Sequence, residues 1–366
     1  MWDLPGRRGD ARRSGQRRLT VSKSTSKGSI RKNGIQGTKG QIFLPTRGTH
    51  EPAMSMTVID SGYMDLERHT AAYLVCDEGR AAFVETNTNR AVPRFIEALE
   101  AKGLGPDVVD YVIITHVHLD HAGGASALMD LCPNATLVAH PRAAPHIIDP
   151  SRLVASSKKV YGEEVFQRIY GDIRPVAEDR VRIMQDRDRL AFGSRELTFI
   201  DTRGHANHHF VIHDSKTHGV FTGDAFGIAY PDLQAHGLLV FPSATPTDFD
   251  AEEAKRSLDL IVGTGAERVY LTHYGERHDL EAMAAMLHEQ LDTYKAVVDE
   301  LFSMDLEDEA LDEAVDVRVR ASFESLLRGS PLESDSAVRS LIENDIELNG
   351  KGLAFAVRKR RFKARA

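Results

Sequence analysis

The stretch THVHLDHAGG, Thr115–Gly124, sets three histidines and an aspartate within six positions, His116 to His121. It begins at the end of YVIIT (111–115), a continuous apolar run of the kind that forms a strand buried on both faces. Imidazole and carboxylate together are ligands for zinc, iron or manganese. In H-x-H-x-D-H, leaving a strand, His116 and His118 project the same way, and the turn aims Asp120 and His121 beside them. Ala122, Gly123 and Gly124 follow and bring no bulky side chain to block the site. A histidine-rich surface loop would explain a lone H-x-H, but it explains four ligand-type residues in six positions poorly. One metal cannot use all four comfortably, so the pattern asks for a second ion and more ligands.

Those ligands should lie at other strand ends if a sheet presents one common edge. After LTFID (197–201) comes TRGHANHH with His205, after GVF (219–221) comes TGDA with Asp224, and after RVYL (268–271) comes THYG with His273. His209 reads as a residue that orients a loop or a ligand, with His140, ending the VAHP strand, and His208 as intermediate cases. His69, His146, His213, His218, His236, His278 and His288 have no partner pattern and read as surface or satisfied core residues.

From Met56 onward short apolar strands alternate with helices. MTVID (56–60), AAYLVC (71–76) and AAFVE (81–85) predict a meander. Pro93 opens a helix with Phe95, Ile96 and Leu99 on one face and Gly103 as its stop. ATLVA (135–139), LTFID, FVIH (210–213), GVFTG (219–223) and RVYLT (268–272) are further strands, so the class is mixed α/β. An insertion at about 141–190 carries Tyr161, Val165, Phe166, Ile169 and Tyr170 and predicts a helical cap over the metals. A second, 228–249, supplies Tyr230 and Phe241. Tyr161, Phe166 and Tyr230 are substrate-contact candidates, although cap-to-core packing is the preferred reading for these aromatics. In DLEAMAAMLHEQLDTYKAVVDEL, Leu280, Met283, Leu287, Leu291, Tyr294, Val298 and Leu301 predict an amphipathic helix that packs on the body or on a partner chain, which would make a homodimer. The closing RKRRFKARA reads as a solvated basic tail. The expected division is a leader (1–53), a metal-binding body (54–278) and a helical appendage (279–366).

Composition sets the outer bounds. At 366 residues, 42% hydrophobic and 27% charged, the chain is ordinary for a globular protein. No apolar run approaches the roughly 18 residues that span a bilayer, and no secretory h-region opens the chain. A cytoplasmic location without membrane attachment is expected. Cys76 and Cys132 form neither a disulfide framework nor a CxxC knuckle and read as buried thiols. Residues 1–50 hold twelve Lys/Arg, two Asp and eight glycines, a balance of +10 that leaves −18 for the rest of a chain of net charge −8. The leader is expected to be disordered. Among a basic arm, a transit peptide and translation that truly begins at Met54 or Met56, the last is preferred, because regular strand pattern starts there.

THVHLDHAGG, TRGHANHH, TGDA and LTHYG, in this order across about residues 56–275, resemble the signature of the metallo-β-lactamase fold superfamily. The resemblance implies an αββα sandwich of two similar halves with a dinuclear metal site at one edge. His116, His118 and His205 would hold the first ion and Asp120, His121 and His273 the second, with Asp224 bridging. Two divalent ions are implied, zinc first and iron or manganese as alternatives, sharing a hydroxide nucleophile that Asp120 orients. Two departures stand out: Arg203 where TPGH is common, and Asp224 where true zinc β-lactamases have cysteine. The second moves the reading toward glyoxalase II-like and lactonase-like hydrolysis of a small-molecule ester, thioester or lactone. No G-x-S-x-G elbow supports a serine nucleophile. The main alternative is a non-haem iron redox protein. Flavodiiron reductases usually carry an acidic residue where His118 stands, whereas persulfide dioxygenases keep the H-x-H-x-D-H pattern. The −18 body disfavours a nuclease of the same fold, and the full set of seven predicted ligands disfavours a dead binding module. IENDIELNGKGLAFAV resembles the C-terminal helices of uncharacterised superfamily members.

Overall fold

A computed structural model describes residues 55–246 and 248–365. The leader expectation, 1–53, with Met54, lies outside the described residues. The described residues open with β1 (Ser55–Asp60), β2 (Ala71–Asp77), β3 (Arg80–Val84), α1 (Val92–Glu100), β4 (Val109–Ile113), α2 (Leu119–Ala122), α3 (Ala125–Leu131) and β5 (Thr136–Ala139). The cap region follows as α4 (Ala144–Ile148), α5 (Ser151–Tyr161) and α6 (Glu163–Ile169), ahead of β6 (Val181–Ile183). Then come β7 (Arg189–Phe192), β8 (Arg195–Asp201), β9 (Phe210–Asp214), β10 (Gly219–Gly223), α7 (Ala251–Val262), β11 (Arg268–Leu271) and β12 (Gly275–Arg277). The chain closes with α8 (Leu280–Ser303), α9 (Asp308–Leu327) and α10 (Ser336–Arg365).

The described strands form two six-stranded sheets, β1-β2-β3-β4-β5-β6 and β12-β11-β10-β9-β8-β7. The meander is antiparallel across β1–β3, after which β3 to β6 run parallel. In AAYLVCD six of seven residues are buried, because β2 is covered on both faces. Tyr73, Val75, Val84 and Ile113 from the first sheet meet Phe199, Phe210, Ile212 and Phe221 from the second, which makes the layer between the sheets. Phe95 and Leu99 of α1 and Leu128 and Met129 of α3 cover the outside of the first sheet. The second sheet is covered by α7 and by α8–α10. The result is an α/β fold, an αββα sandwich with a helical region at its C-terminus.

The aligned strand directions bring the C-terminal ends of β3, β4, β8, β10 and β11 to one edge, and each predicted ligand follows one of β4, β8, β10 and β11. The residues of α8 settle its packing: Leu280, Met283, Leu287, Leu291, Tyr294 and Leu301 are buried in the core on the second sheet, with Val298 half-buried against it. The helix therefore packs on the body. The closing basic run has partners in its first half and is exposed over 362–365. It continues α10, where Arg358 pairs with Asp308 and Asp312, Arg360 with Asp299, and Arg361 donates to the carbonyls of Leu301, Met304 and Leu306. Cys132 is buried, whereas Cys76 is only half-buried, and neither is in a disulfide. No described helix is long and apolar enough to cross a membrane.

Candidate metal centre

Three ring nitrogens converge first. His116 Nε2 lies 2.8 Å from His118 Nδ1, which lies 3.0 Å from His205 Nε2, and the third side of the triangle, His116 Nε2 to His205 Nε2, is 3.3 Å. Ligand nitrogens about 2.0–2.1 Å from a tetrahedral zinc stand roughly 3.3–3.4 Å apart, so the triangle matches three corners of such a site with slight contraction.

The outward nitrogens decide which atoms are free to bind. His205 Nδ1 donates to the Ser243 carbonyl at 3.0 Å, leaving Nε2 as a bare lone pair. His116 Nδ1 donates to Thr115 Oγ1 at 3.0 Å, and that hydroxyl in turn donates to Glu85. His121 Nδ1 donates to Glu85 Oε1, and His273 Nδ1 to the His69 carbonyl, each at 3.0 Å. Four imidazoles thus turn Nε2 inward, while His118 offers Nδ1.

Asp120 Oδ2 lies 3.4 Å from His273 Nε2 and 3.7 Å from His121 Nε2, which makes a second cluster. Asp224 stands between the two. Its Oδ1 is 3.1 Å from His121 Nε2 and 3.6 Å from His273 Nε2, and its Oδ2 is 3.4 Å from His205 Nε2. His121 Nε2 and Asp224 Oδ1 are both buried and, although close, no well-angled hydrogen bond satisfies either. Buried polar atoms left unsatisfied are costly, and here they point at a common space among nitrogen and oxygen donors. The donor set therefore fits two cations, the first at His116, His118 and His205, the second at Asp120, His121 and His273, with Asp224 offering one oxygen to each.

Electrostatics agree with a site built for positive charge. Burial, reinforced by neighbouring imidazoles, holds His116, His118 and His209 well below the ordinary histidine range. Burial works the same way on His121 and His273, but the carboxylates around them outweigh it and raise both. Burial would raise Asp120 and Asp224, yet the imidazoles beside them, His121 foremost, hold both below the usual carboxylate range. Protons on His121 and His273 compete with a cation for the same atoms.

The other candidates fall in different places. His209 Nδ1 bonds Thr202 Oγ1 at 2.8 Å, and its Nε2 accepts the Asp224 N–H at 3.3 Å, so it orients the backbone of Asp224. Gly223 keeps that approach open: its φ is +49°, and a Cβ there would come within 2.5 Å of Thr115 Oγ1 and 2.6 Å of His209 Nε2. His140 does not join the cluster. Its Nδ1 accepts the Arg142 N–H, and its Nε2 lies 3.2 Å from Asp201. Phe166 is 1% exposed and packs with Leu119, Ile169 and Tyr170, in keeping with the preferred packing reading and not with substrate contact. The Tyr161 side chain lies outside the described residues. Tyr230 is buried, its hydroxyl 2.9 Å from His69 Nε2 and 3.3 Å from Asp345 Oδ1.

Sequence reasoning missed three residues. Glu85 accepts from His121, Thr115 and Thr272, and its signal was a carboxylate ending an apolar strand at the metal edge. His69, read as an ordinary histidine, supplies the carbonyl for His273. Ser243 bonds His205 through its carbonyl and Asp224 Oδ2 through Oγ at 3.3 Å, with no signal in the sequence.

A family model described as Metallo-beta-lactamase superfamily matches residues 66–273, which contain all seven converging side chains. The chain belongs to the metallo-beta-lactamase superfamily. A curated relative, a metallo-beta-lactamase fold-containing protein of Sulfurisphaera tokodaii, is 24% identical over 224 residues, 59% of this chain and 76% of that one. The crystal structure of an archaeal superfamily protein from Sulfolobus tokodaii aligns with a TM-score of 0.58 at 19% identity, covering 82% of this chain and 99% of that one. The nitric oxide reductase of Moorella thermoacetica is 29% identical over 133 residues, 36% of this superfamily member and 26% of the reductase.

Proposed function

We propose that this superfamily member is a dinuclear metal-dependent hydrolase that cleaves an ester, thioester or lactone of a small molecule, in the manner of the glyoxalase II-like and lactonase-like branches. The observation that carries the reading is Asp224, whose two oxygens face nitrogens of different clusters, Oδ1 toward His121 and His273 and Oδ2 toward His205. A carboxylate so placed serves two ions at once. Two bound divalent ions, zinc first and iron or manganese as alternatives, would supply carbonyl polarisation and hydroxide at neutral pH by bringing the pKa of water to about 7.

The chain's own groups do the rest. Asp120 is the more open of the two carboxylates, its side chain 25% exposed against 6% for Asp224. Kept ionised by its imidazole neighbours, it accepts a hydrogen bond from the attacking water and aims it. Glu85, Ser243 and the His69 carbonyl fix the tautomers of His121, His205 and His273, so that the inward nitrogens need no reorganisation. The −18 charge of residues 51–366 repels a polyanion and suits a small substrate over nucleic acid.

A second reading, a non-haem iron redox protein, is favoured by the likeness to a nitric oxide reductase. Quantifying metal in protein purified without chelator, then assaying thioesters, lactones and aryl esters alongside oxygen uptake, separates the two. The hydrolase reading expects close to two metal equivalents, hydrolysis of at least one class, and loss of metal from both sites in Asp224→Ala. One tightly held iron, unchanged stoichiometry in that variant, and oxygen consumption without hydrolysis would overturn it.

A further inference from the structure

On α10, Asp345, Asn349 and Gly352 are buried at spacing i, i+4, i+7, a single stripe on the face turned into the protein. An apolar stripe would pack more cheaply, because a buried amide or carboxyl costs free energy unless it is bonded. What the stripe bonds is the segment behind the metal centre. Asn349 Oδ1 accepts the Ala244 N–H at 2.9 Å, and its Nδ2 donates to the Asp345 carbonyl at 2.8 Å. Flanking Ala244, the Ser243 carbonyl accepts from His205 Nδ1, Ser243 Oγ donates to Asp224, and Thr245 Oγ1 donates to the His205 carbonyl at 2.8 Å. Gly352 allows the close approach: a Cβ there would stand 2.7 Å from both the carbonyl carbon and the oxygen of Ala244. Asp345 reaches the other cluster, since Tyr230 bridges it to His69, whose carbonyl holds His273.

We infer that α10 is a splint for the metal centre, with Asn349 as a positioning residue that sets His205 and Asp224 through the 243–245 segment, and Gly352 as the position that lets the helix reach it. The inference rests on the reading that the seven side chains hold two ions. It makes the C-terminal helix part of the metal-binding unit, although none of its residues is among the seven side chains that would hold the ions.

The test is zinc affinity of the full chain, measured by competition with a chromophoric chelator alongside thermal unfolding. Asn349→Ala is expected to weaken zinc binding about tenfold or more, the range for lost supporting hydrogen bonds. Gly352→Ala should do the same even though alanine is the better helix former, because its methyl presses on Ala244. Leu353→Ala, one residue on and fully buried in the apolar core, is the control: it should lower thermal stability and leave zinc affinity within about twofold. Should Asn349→Ala fail to fold, Gly352→Ala carries the test alone. Wild-type affinity in both stripe variants, or affinity that falls in step with thermal stability in all three, overturns the splint while the dinuclear reading stands. A wild-type chain that takes up no zinc overturns both.

Discussion

Glu85 concentrates the geometry of the metal turn in one carboxylate. Its Oε1 receives His121 Nδ1, the Thr115 hydroxyl and the Thr272 hydroxyl, while Oε2 receives the Thr115 N–H at 3.3 Å. Glutamine keeps the shape but can offer one acceptor oxygen only, and its amide N–H would face either a backbone N–H or an imidazole N–H. Glu85→Gln should therefore leave the fold intact and weaken zinc binding by about 10–100-fold, read by chelator competition. Unchanged affinity would show that the His121 tautomer is set by something else. The same residue explains which parts of the site could be read in advance. His116, His118, Asp120 and His121 announce themselves because four ligand types crowd one turn, and His205, Asp224 and His273 because each follows an apolar strand. Glu85 meets His121 across 36 positions and His69 meets His273 across 204, so their roles arise only once the strands are placed side by side.

At the scale of elements, the cap is where packing and substrate contact compete as readings, and its contacts favour packing. Phe166 of α6 is enclosed by Leu119, Ile169 and Tyr170, and Leu119 immediately precedes Asp120. Phe166→Ala should cost about 3–5 kcal/mol of stability, as for a large aromatic removed from a packed core, and should slow every substrate class by a similar factor. A change in the ratio of thioester to lactone hydrolysis of tenfold or more, with stability kept, would return Phe166 to the substrate pocket. Long apolar strands and the amphipathic α8 were legible because hydrophobic period alone specifies them. Three strands were not. β6 and β12 are three residues long, too short to carry a period, and β6 is largely exposed; β7 alternates exposed and buried residues over only four positions, a signal easily passed over. The first half of the basic end of α10, which has partners, was illegible for a related reason. Its acidic partners on α8 and α9 lie 46 to 61 positions away, and a charge run looks solvated until those helices come together.

For the whole molecule, the two sheets meet through the converging histidines and aspartates at one edge and through ion pairs at the other. At the end of β2, opposite the metals, Asp77 accepts from Lys216 Nζ at 2.6 Å, from Ser194, and from Arg195 Nε at 3.3 Å. Arg195 also pairs with Asp214, and Arg195, Asp77 and Asp214 are all buried. Asp77 belongs to the first sheet and the others to the second, so the cluster fixes the register of one half on the other independently of any metal. Arg195→Met would keep the volume and leave two buried carboxylates short of a partner, a loss of about 3–5 kcal/mol at neutral pH by the behaviour of broken buried pairs. The sign of its pH dependence follows from Asp77. Burial would raise that carboxyl, but Lys216, Ser194 and Arg195 together hold it below its ordinary value. A depressed carboxyl stabilises the fold above the unfolded-state pKa, about 3.9, and that contribution disappears as pH falls through the folded-state value. Wild type should accordingly lose stability as it is acidified below about pH 4, and the gap between wild type and Arg195→Met, wide at pH 7, should narrow there because the unpaired Asp77 carboxylate becomes neutral. Urea unfolding of the two proteins at pH 7 and at about pH 3.5 reads the difference directly. A gap that stays constant or widens in acid would mean that the arginine stabilises by packing its stem and not by pairing the carboxylates.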